Sequence, residues 1–278
     1  MDIDVGFALL LTTLAGLSTG IGSAVAYFIR TPKYSYLAVM LGFSAGVMVY
    51  ISFAELLKTA VDDVGFAVAN IGFFLGILVI GVVDMLIPHE YEHEHVENTH
   101  PRVAARSKVD QKDKNTSDIV PVSDQSSPVL MRVGLFVALG IAIHNFPEGL
   151  VTFSSAATGD IALGLVVAVA IAVHNIPEGL AVSVPIFYAT GSRRKAFIYS
   201  FSSGLAEPVG ALLGYAILMP FLTPTLLSTL LAFVAGIMVY ISLDELLPLA
   251  HRYGEEHLVI IGTGAGMMVM AASLYLLG

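Results

Sequence analysis

Cysteine is absent from all 278 residues, so neither a disulfide nor a thiolate metal site can form, and the redox compartment leaves no mark on the sequence. Charge is nearly as scarce. Asp, Glu, Lys and Arg make up 13% of the chain, against roughly 25% in a soluble domain, while 56% of residues are hydrophobic and mean hydropathy is +0.82. These values exclude an ordinary soluble fold and define a polytopic membrane protein whose first partner is the lipid bilayer. A net charge of −9 has the wrong sign for a nucleic-acid binder, so no nucleic-acid partner is expected. A basic n-region is missing as well: the chain begins Met1-Asp2-Ile3-Asp4, which argues against a cleaved signal and for a retained first helix.

Between these absences lie long apolar runs. Stretches of about 20 residues span the hydrocarbon core as helices, and the sequence offers eight: residues 5–29, 35–57, 66–87, 130–154, 161–188, 196–219, 226–248 and 257–277. Lys and Arg concentrate in cytoplasmic loops. Arg30, Lys33, Arg102, Arg106, Lys108, Lys112, Lys114, Arg132, Arg193, Arg194, Lys195 and Arg252 all fall on one side, and only Lys58 falls on the other. That side is expected to be cytoplasmic, with both termini extracytoplasmic. The outward segments carry Asp2, Asp4, Asp62, Asp63 and Asp160, read either as solvated ends or as a weakly cation-attracting surface.

The spans repeat. Residues 42–57 and 232–247 are identical at eleven of sixteen positions with a constant offset of 190. Gly72 and Gly76 recur at the same offset as Gly262 and Gly266, and Gly16-Leu17 has a counterpart in Gly204-Leu205. Related helices lie five spans apart, an odd number, and therefore cross the membrane in opposite directions. The expected fold is an all-α membrane protein, eight transmembrane helices in a 3+2+3 inverted-repeat bundle, an arrangement typical of secondary transporters. Its expected parts are residues 1–87, a loop at 88–128, the central helices at 129–189, and the second repeat at 190–278. Small residues at four-residue spacing, such as Gly16 and Gly20, are read as helix packing.

The two central spans carry one motif written twice: His144-Asn145-Phe146-Pro147-Glu148-Gly149 and His174-Asn175-Ile176-Pro177-Glu178-Gly179. On a helix, positions four and three apart share a face, so His144 and Asn145 both neighbour Glu148, and the second copy repeats the arrangement. His144 stands about 20 Å along its helix, close to mid-membrane. Pro147 and Pro177 each remove a backbone hydrogen bond and are expected to kink their helices, exposing the carbonyls of Ile143 and Val173. Glu207, beside Pro208 in the sixth span, is expected to join the same point. An intramembrane carboxylate costs about 2.5–3.5 kcal/mol, so Glu148, Glu178 and Glu207 together imply roughly 7–11 kcal/mol without compensation. No lysine or arginine sits near mid-span to supply it. A bound cation is the natural counter-charge, and imidazole with carboxylate suits Zn2+, Fe2+, Mn2+, Co2+ or Cd2+ better than Mg2+ or Ca2+. Two adjacent sites are expected, one on His144 and His174 and one on Asn145 and Asn175, bridged by Glu148 and Glu178.

Other residues admit two readings. His89, His93, His95 and His100 in the loop are either a low-affinity metal-collecting cluster or incidental to a polar linker. Met48 and Met238 occupy equivalent repeat positions, as core filling or as a soft ligand. Glu55, Asp84, Asp244 and Glu245 are expected near helix ends as boundary or gate-lining groups. An intramembrane metalloenzyme is the alternative to transport, but no apolar span carries the zincin pattern His-Glu-x-x-His, whose match at His89-Glu90-Tyr91-Glu92-His93 falls in the polar loop, and no separate base stands out. A passive metal channel would use the same ligands.

With the paired His-Asn-x-Pro-Glu-Gly motifs and Gly204-Leu-Ala-Glu-Pro208, the chain resembles the ZIP (Zrt-, Irt-like) family of divalent metal transporters, nearest its bacterial ZupT-like branch. The resemblance spans all eight helices. It implies metal import toward the cytoplasm and a binuclear centre built from His144, Asn145, Glu148, His174, Asn175, Glu178 and Glu207, with Met48 the candidate from the second helix. The metal is then a transported substrate and no cofactor is expected. The membrane is a plasma membrane, the inner one in a Gram-negative cell. A homodimer is kept open beside the monomer.

Overall fold

The computed structural model describes residues 5–29, 33–86, 127–157, 161–218 and 223–277, and among these every regular element is helical. α1 is Val5–Phe28. α2 runs from Tyr34 to Val64, with a π-helical stretch at Ser52–Leu57. Gly65, at φ 83°, turns the chain into α3, Phe66–Leu86. α4 is Ser127–Ala156 and α5 is Ile161–Thr190. α6 covers 193–218 in pieces, α7 is Pro224–Tyr253, and α8 is Glu256–Leu277. All but α6 are long and apolar enough to cross a membrane. The protein is therefore an all-α, multi-pass membrane protein.

Local chemistry explains several boundaries. Ser192 caps α6 by accepting from the Lys195 amide, and Thr223 caps α7 by accepting from the Leu226 amide with Pro224 in the first turn. α4 starts at Ser127, three residues before the apolar run read from sequence, because Pro128 fits a first turn where its missing amide is not needed. α6 is not the continuous helix expected at 196–219. It breaks between Arg193–Gly204 and Ala206–Leu213, where Pro208 has no amide to give the Gly204 carbonyl and Gly204 itself is a poor helix former. α4 and α5, by contrast, stay helical through Pro147, Pro177 and Pro185.

The acids at 55, 244 and 245 differ from the expectation of helix ends. α2 continues to Val64 and α7 to Tyr253, so Glu55 and the pair Asp244 and Glu245 lie inside π-helical stretches, Ser52–Leu57 and Ile241–Leu246. In each stretch the serine hydroxyl donates to the carbonyl four residues back, Ser52 to Met48 and Ser242 to Met238, at 2.6 and 2.7 Å. Only Asp84 lies at a helix end. It is buried, receives the Tyr240 hydroxyl at 3.4 Å, and stands 3.9 Å from the Arg132 guanidinium.

Packing follows the repeat. α2 lies along α8 and α3 along α7, while α1 lies along α5 and α4 along α6. The close glycine contacts come in matching pairs. Gly76 meets the Phe233 carbonyl and Gly266 the Phe43 carbonyl, contacts that exchange under the 190-residue offset. Gly179 meets the Thr19 carbonyl and Gly149 the Glu207 carbonyl, which exchange when α1 maps to α6 and α5 to α4. Gly16 and Gly204 face each other's carbonyls, so this contact maps onto itself and marks the pseudo-two-fold axis. The small residues thus let helices touch backbone to backbone, as the spacing implied.

Candidate metal centre

α4 and α5 cross where their motifs coincide. The His144 ring nitrogen Nε2 donates to Glu178 Oε1 at 2.8 Å, and His174 Nε2 donates to Glu148 Oε1 at 3.3 Å. Each histidine therefore reaches the glutamate of the other copy rather than the one a turn away on its own helix. The helical spacing put each imidazole and carboxylate on one face; the crossing of two such faces exchanges their partners. Ligand-bearing atoms of His144, Glu148 and Glu178 all lie within 4.8 Å of one another.

α6 brings in the third carboxylate. Asn175 Nδ2 donates to Glu207 Oε1 in a short hydrogen bond and also to the Ala15 carbonyl of α1 at 2.9 Å. Glu207 stands at the second residue of Ala206–Leu213, and the break before it lets its backbone rest against Gly149. His144, Asn145, Glu148, His174, Asn175, Glu178 and Glu207 are each no more than 1% exposed.

The polar atoms left over are numerous. Glu148 Oε2, Glu178 Oε2, Glu207 Oε2, Asn145 Oδ1 and Nδ2, Asn175 Oδ1 and both histidine Nδ1 atoms are buried without a hydrogen-bond partner. Buried polar groups are normally satisfied, and each orphan costs about 1–3 kcal/mol. Three carboxylates, two imidazoles and two amides in one apolar region, with acceptor atoms still unused, form a donor set suited to a divalent cation.

Met48 is fully buried in α2, in the same apolar core as Met238. His89, His93 and His95 lie outside the described residues, as do His100, Asp2, Asp4 and Asp160. Thr19 on α1 stands where the pseudo-symmetry puts the counterpart of Glu207. The offset of 188 relating Gly16 to Gly204 was the signal for it.

Fold and site together define a class: a polytopic helical membrane protein with a buried histidine and carboxylate cluster at the crossing of its central helices. The family model described as ZIP Zinc transporter matches residues 86–273. The chain is similar to the zinc transporter ZupT of Nitratidesulfovibrio vulgaris, at 52% identity over 99% of both chains. The ZupT proteins of Clostridium perfringens and Lysinibacillus sphaericus are each 50% identical, the first covering 98% of this chain and 96% of its own, the second all of both. This chain belongs to the ZIP family, on its ZupT-like side.

Proposed function

We propose that this ZIP family transporter imports divalent transition metal ions into the cytoplasm, zinc first, with Fe2+, Mn2+, Co2+ and Cd2+ as further candidates. The observation that carries the reading is the crossed pair His144–Glu178 and His174–Glu148, buried and surrounded by orphaned acceptors. The relatives' names support zinc; the donor set supports any borderline divalent ion. The metal is cargo, and the protein transports rather than catalyses.

In this reading His144 and His174 supply imidazole ligands, Glu148 and Glu178 bridge, and Asn145, Asn175 and Glu207 complete a binuclear centre near mid-membrane. Met48 is a thioether candidate on α2. A metal displaces the hydrogen bonds that the histidines now make with the carboxylates, because a nitrogen ligand must present its lone pair. The bundle then exposes the centre alternately to the two sides, as inverted repeats permit. The segment 88–128 would be cytoplasmic, with His89, His93 and His95 available to receive metal there. Both termini would face outward from the plasma membrane.

The test is metal uptake into proteoliposomes holding the purified protein, scanned across the five ions against protein-free liposomes. Saturable uptake of Zn2+ is the expected result. Metal bound by the protein with no accumulation in the lumen would overturn transport.

A further inference from the structure

Away from the metal centre, the basic residues are unevenly neutralised. The chain carries 22 acidic and 13 basic residues, so a carboxylate is close at hand for most of them. Lys58 pairs with Asp62 at 3.3 Å, Arg132 stands 3.9 Å from Asp84, and Arg252 is followed closely in the chain by Glu255 and Glu256. Lys33, Arg193, Arg194 and Lys195 differ. No Asp or Glu occurs from Val5 to Ala54 or from Gly179 to Ala206, the two stretches that hold them, and among the described residues none of the four forms an ion pair. The preference of basic residues for one side of the membrane places them at this end of the bundle, but it does not clear acids away from them.

The fold joins the two acid-free stretches in one corner. At the end of α5 the Tyr188 hydroxyl donates to the Lys33 carbonyl at 2.8 Å and accepts from the Lys33 amide at 3.1 Å. At the start of α6 Arg193 Nη2 donates to the Ile29 carbonyl at 2.7 Å, its guanidinium 5.4 Å from the centre of the Phe187 ring. Tyr27 of α1 meets Phe197 of α6 edge to face. Arg193 is thus spent on fastening the corner, while Arg194 and Lys195 stand exposed. Exposed aromatic rings fringe them: Tyr27, Phe28, Tyr36 and Tyr199, with the Lys33 ammonium 5.8 Å from the centre of the Tyr36 ring. Tyrosine rings and the heads of long basic side chains gather at the headgroup level of a bilayer.

The geometry points to this corner, where α1 and α5 end and α2 and α6 begin, as a binding site for the headgroup of an anionic phospholipid, its phosphate facing Arg194 and Lys195. The lipid supplies the negative charge that the corner lacks. A soluble anion would be drawn by the same charge, but it would gain nothing from the aromatic fringe, which suits a ligand anchored in the bilayer. Each Lys or Arg held beside an anionic membrane surface strengthens the attraction about fivefold. No metal ligand lies in the corner, so this inference goes beyond the transport reading and stands or falls apart from it.

The chain has no tryptophan, so a single introduced one reports on the lipid beside it. Tyr199→Trp puts the reporter in the corner, and Phe66→Trp puts one at an exposed position at the start of α3, near Asp62 and Asp63 in the chain. The test is quenching of each full-length reporter protein, reconstituted in liposomes, by brominated phosphatidylglycerol and by brominated phosphatidylcholine, which gives the relative affinity of the two lipids. Phosphatidylglycerol should be preferred about tenfold at Tyr199→Trp and by less than about twofold at Phe66→Trp. Adding Arg194→Gln and Lys195→Gln to Tyr199→Trp should bring the ratio to within about twofold of one, whereas Arg194→Lys with Lys195→Arg should keep the preference. Equal quenching by the two lipids at Tyr199→Trp, equal preference at both reporters, or a preference that survives the glutamine pair would each overturn the site. Loss of the preference in the charge-keeping pair would do the same, since charge would then not be its cause. Inorganic phosphate that abolishes the preference at an ionic strength where chloride does not would assign the corner to a free anion and overturn the lipid.

Discussion

His144 and Glu178 share a hydrogen bond in a region closed to water, so removing either partner exposes the other to the full cost of burial. Breaking a buried pair by losing one side costs about 3–5 kcal/mol. His144→Ala should therefore lower the unfolding temperature of the metal-free protein as well as its affinity for Zn2+, read by thermal unfolding with and without metal. An unchanged metal-free transition would mean that the pair does not hold α4 to α5. Protons and metals compete for the same imidazole and carboxylate atoms, because ligands bind metal only when deprotonated. Zn2+ uptake is expected to fall as the external pH drops from about 7.5 to about 5, through the range where histidine protonates. Uptake that stays flat across that range would exclude ligand protonation as the control. At this scale the sequence was informative where chemistry was rare: an acid or histidine inside an apolar span stands out, and in the structure His144 meets Glu178, His174 meets Glu148 and Glu207 meets Asn175.

Helices in this protein meet through glycine. A Cβ at Gly179 would collide with the Thr19 carbonyl and the Ser23 amide, backbone atoms that no rotamer change can move, whereas a Cβ at Gly264 meets nothing within 4 Å. Gly179→Val should abolish monodisperse, folded protein on size exclusion in detergent, and Gly264→Ala should leave it unchanged or raise its yield. Equal behaviour of the two variants would contradict the packing. Seven of the apolar spans were legible from hydropathy, and the 190-residue repeat marked which of them are related. Two element-level features were not. The π-helical stretches at Ser52–Leu57 and Ile241–Leu246 leave no periodic signature in a uniformly apolar run. The break in α6 had a signal, Gly204 followed four residues later by Pro208, but Pro147 and Pro177 sit in helices that continue, so proline alone does not announce a break.

Across the whole molecule, the proposed orientation follows from the basic residues, and the absence of cysteine makes it directly measurable. Lys58→Cys and Arg194→Cys place single thiols at exposed positions that the orientation assigns to opposite sides of the membrane. A membrane-impermeant thiol reagent added to intact cells should label the first and spare the second. The reverse pattern would turn the molecule over and make it an exporter by the same argument. The central claim is that the crossed His and Glu pairs lie on the path of the metal. The most direct measurement is Zn2+ uptake into proteoliposomes by wild type, Glu148→Ala and Glu178→Ala, with the folded state of each checked by size exclusion. The account predicts saturable uptake by the wild type and its loss in both folded variants. Folded variants that carry Zn2+ at the wild-type rate would contradict it.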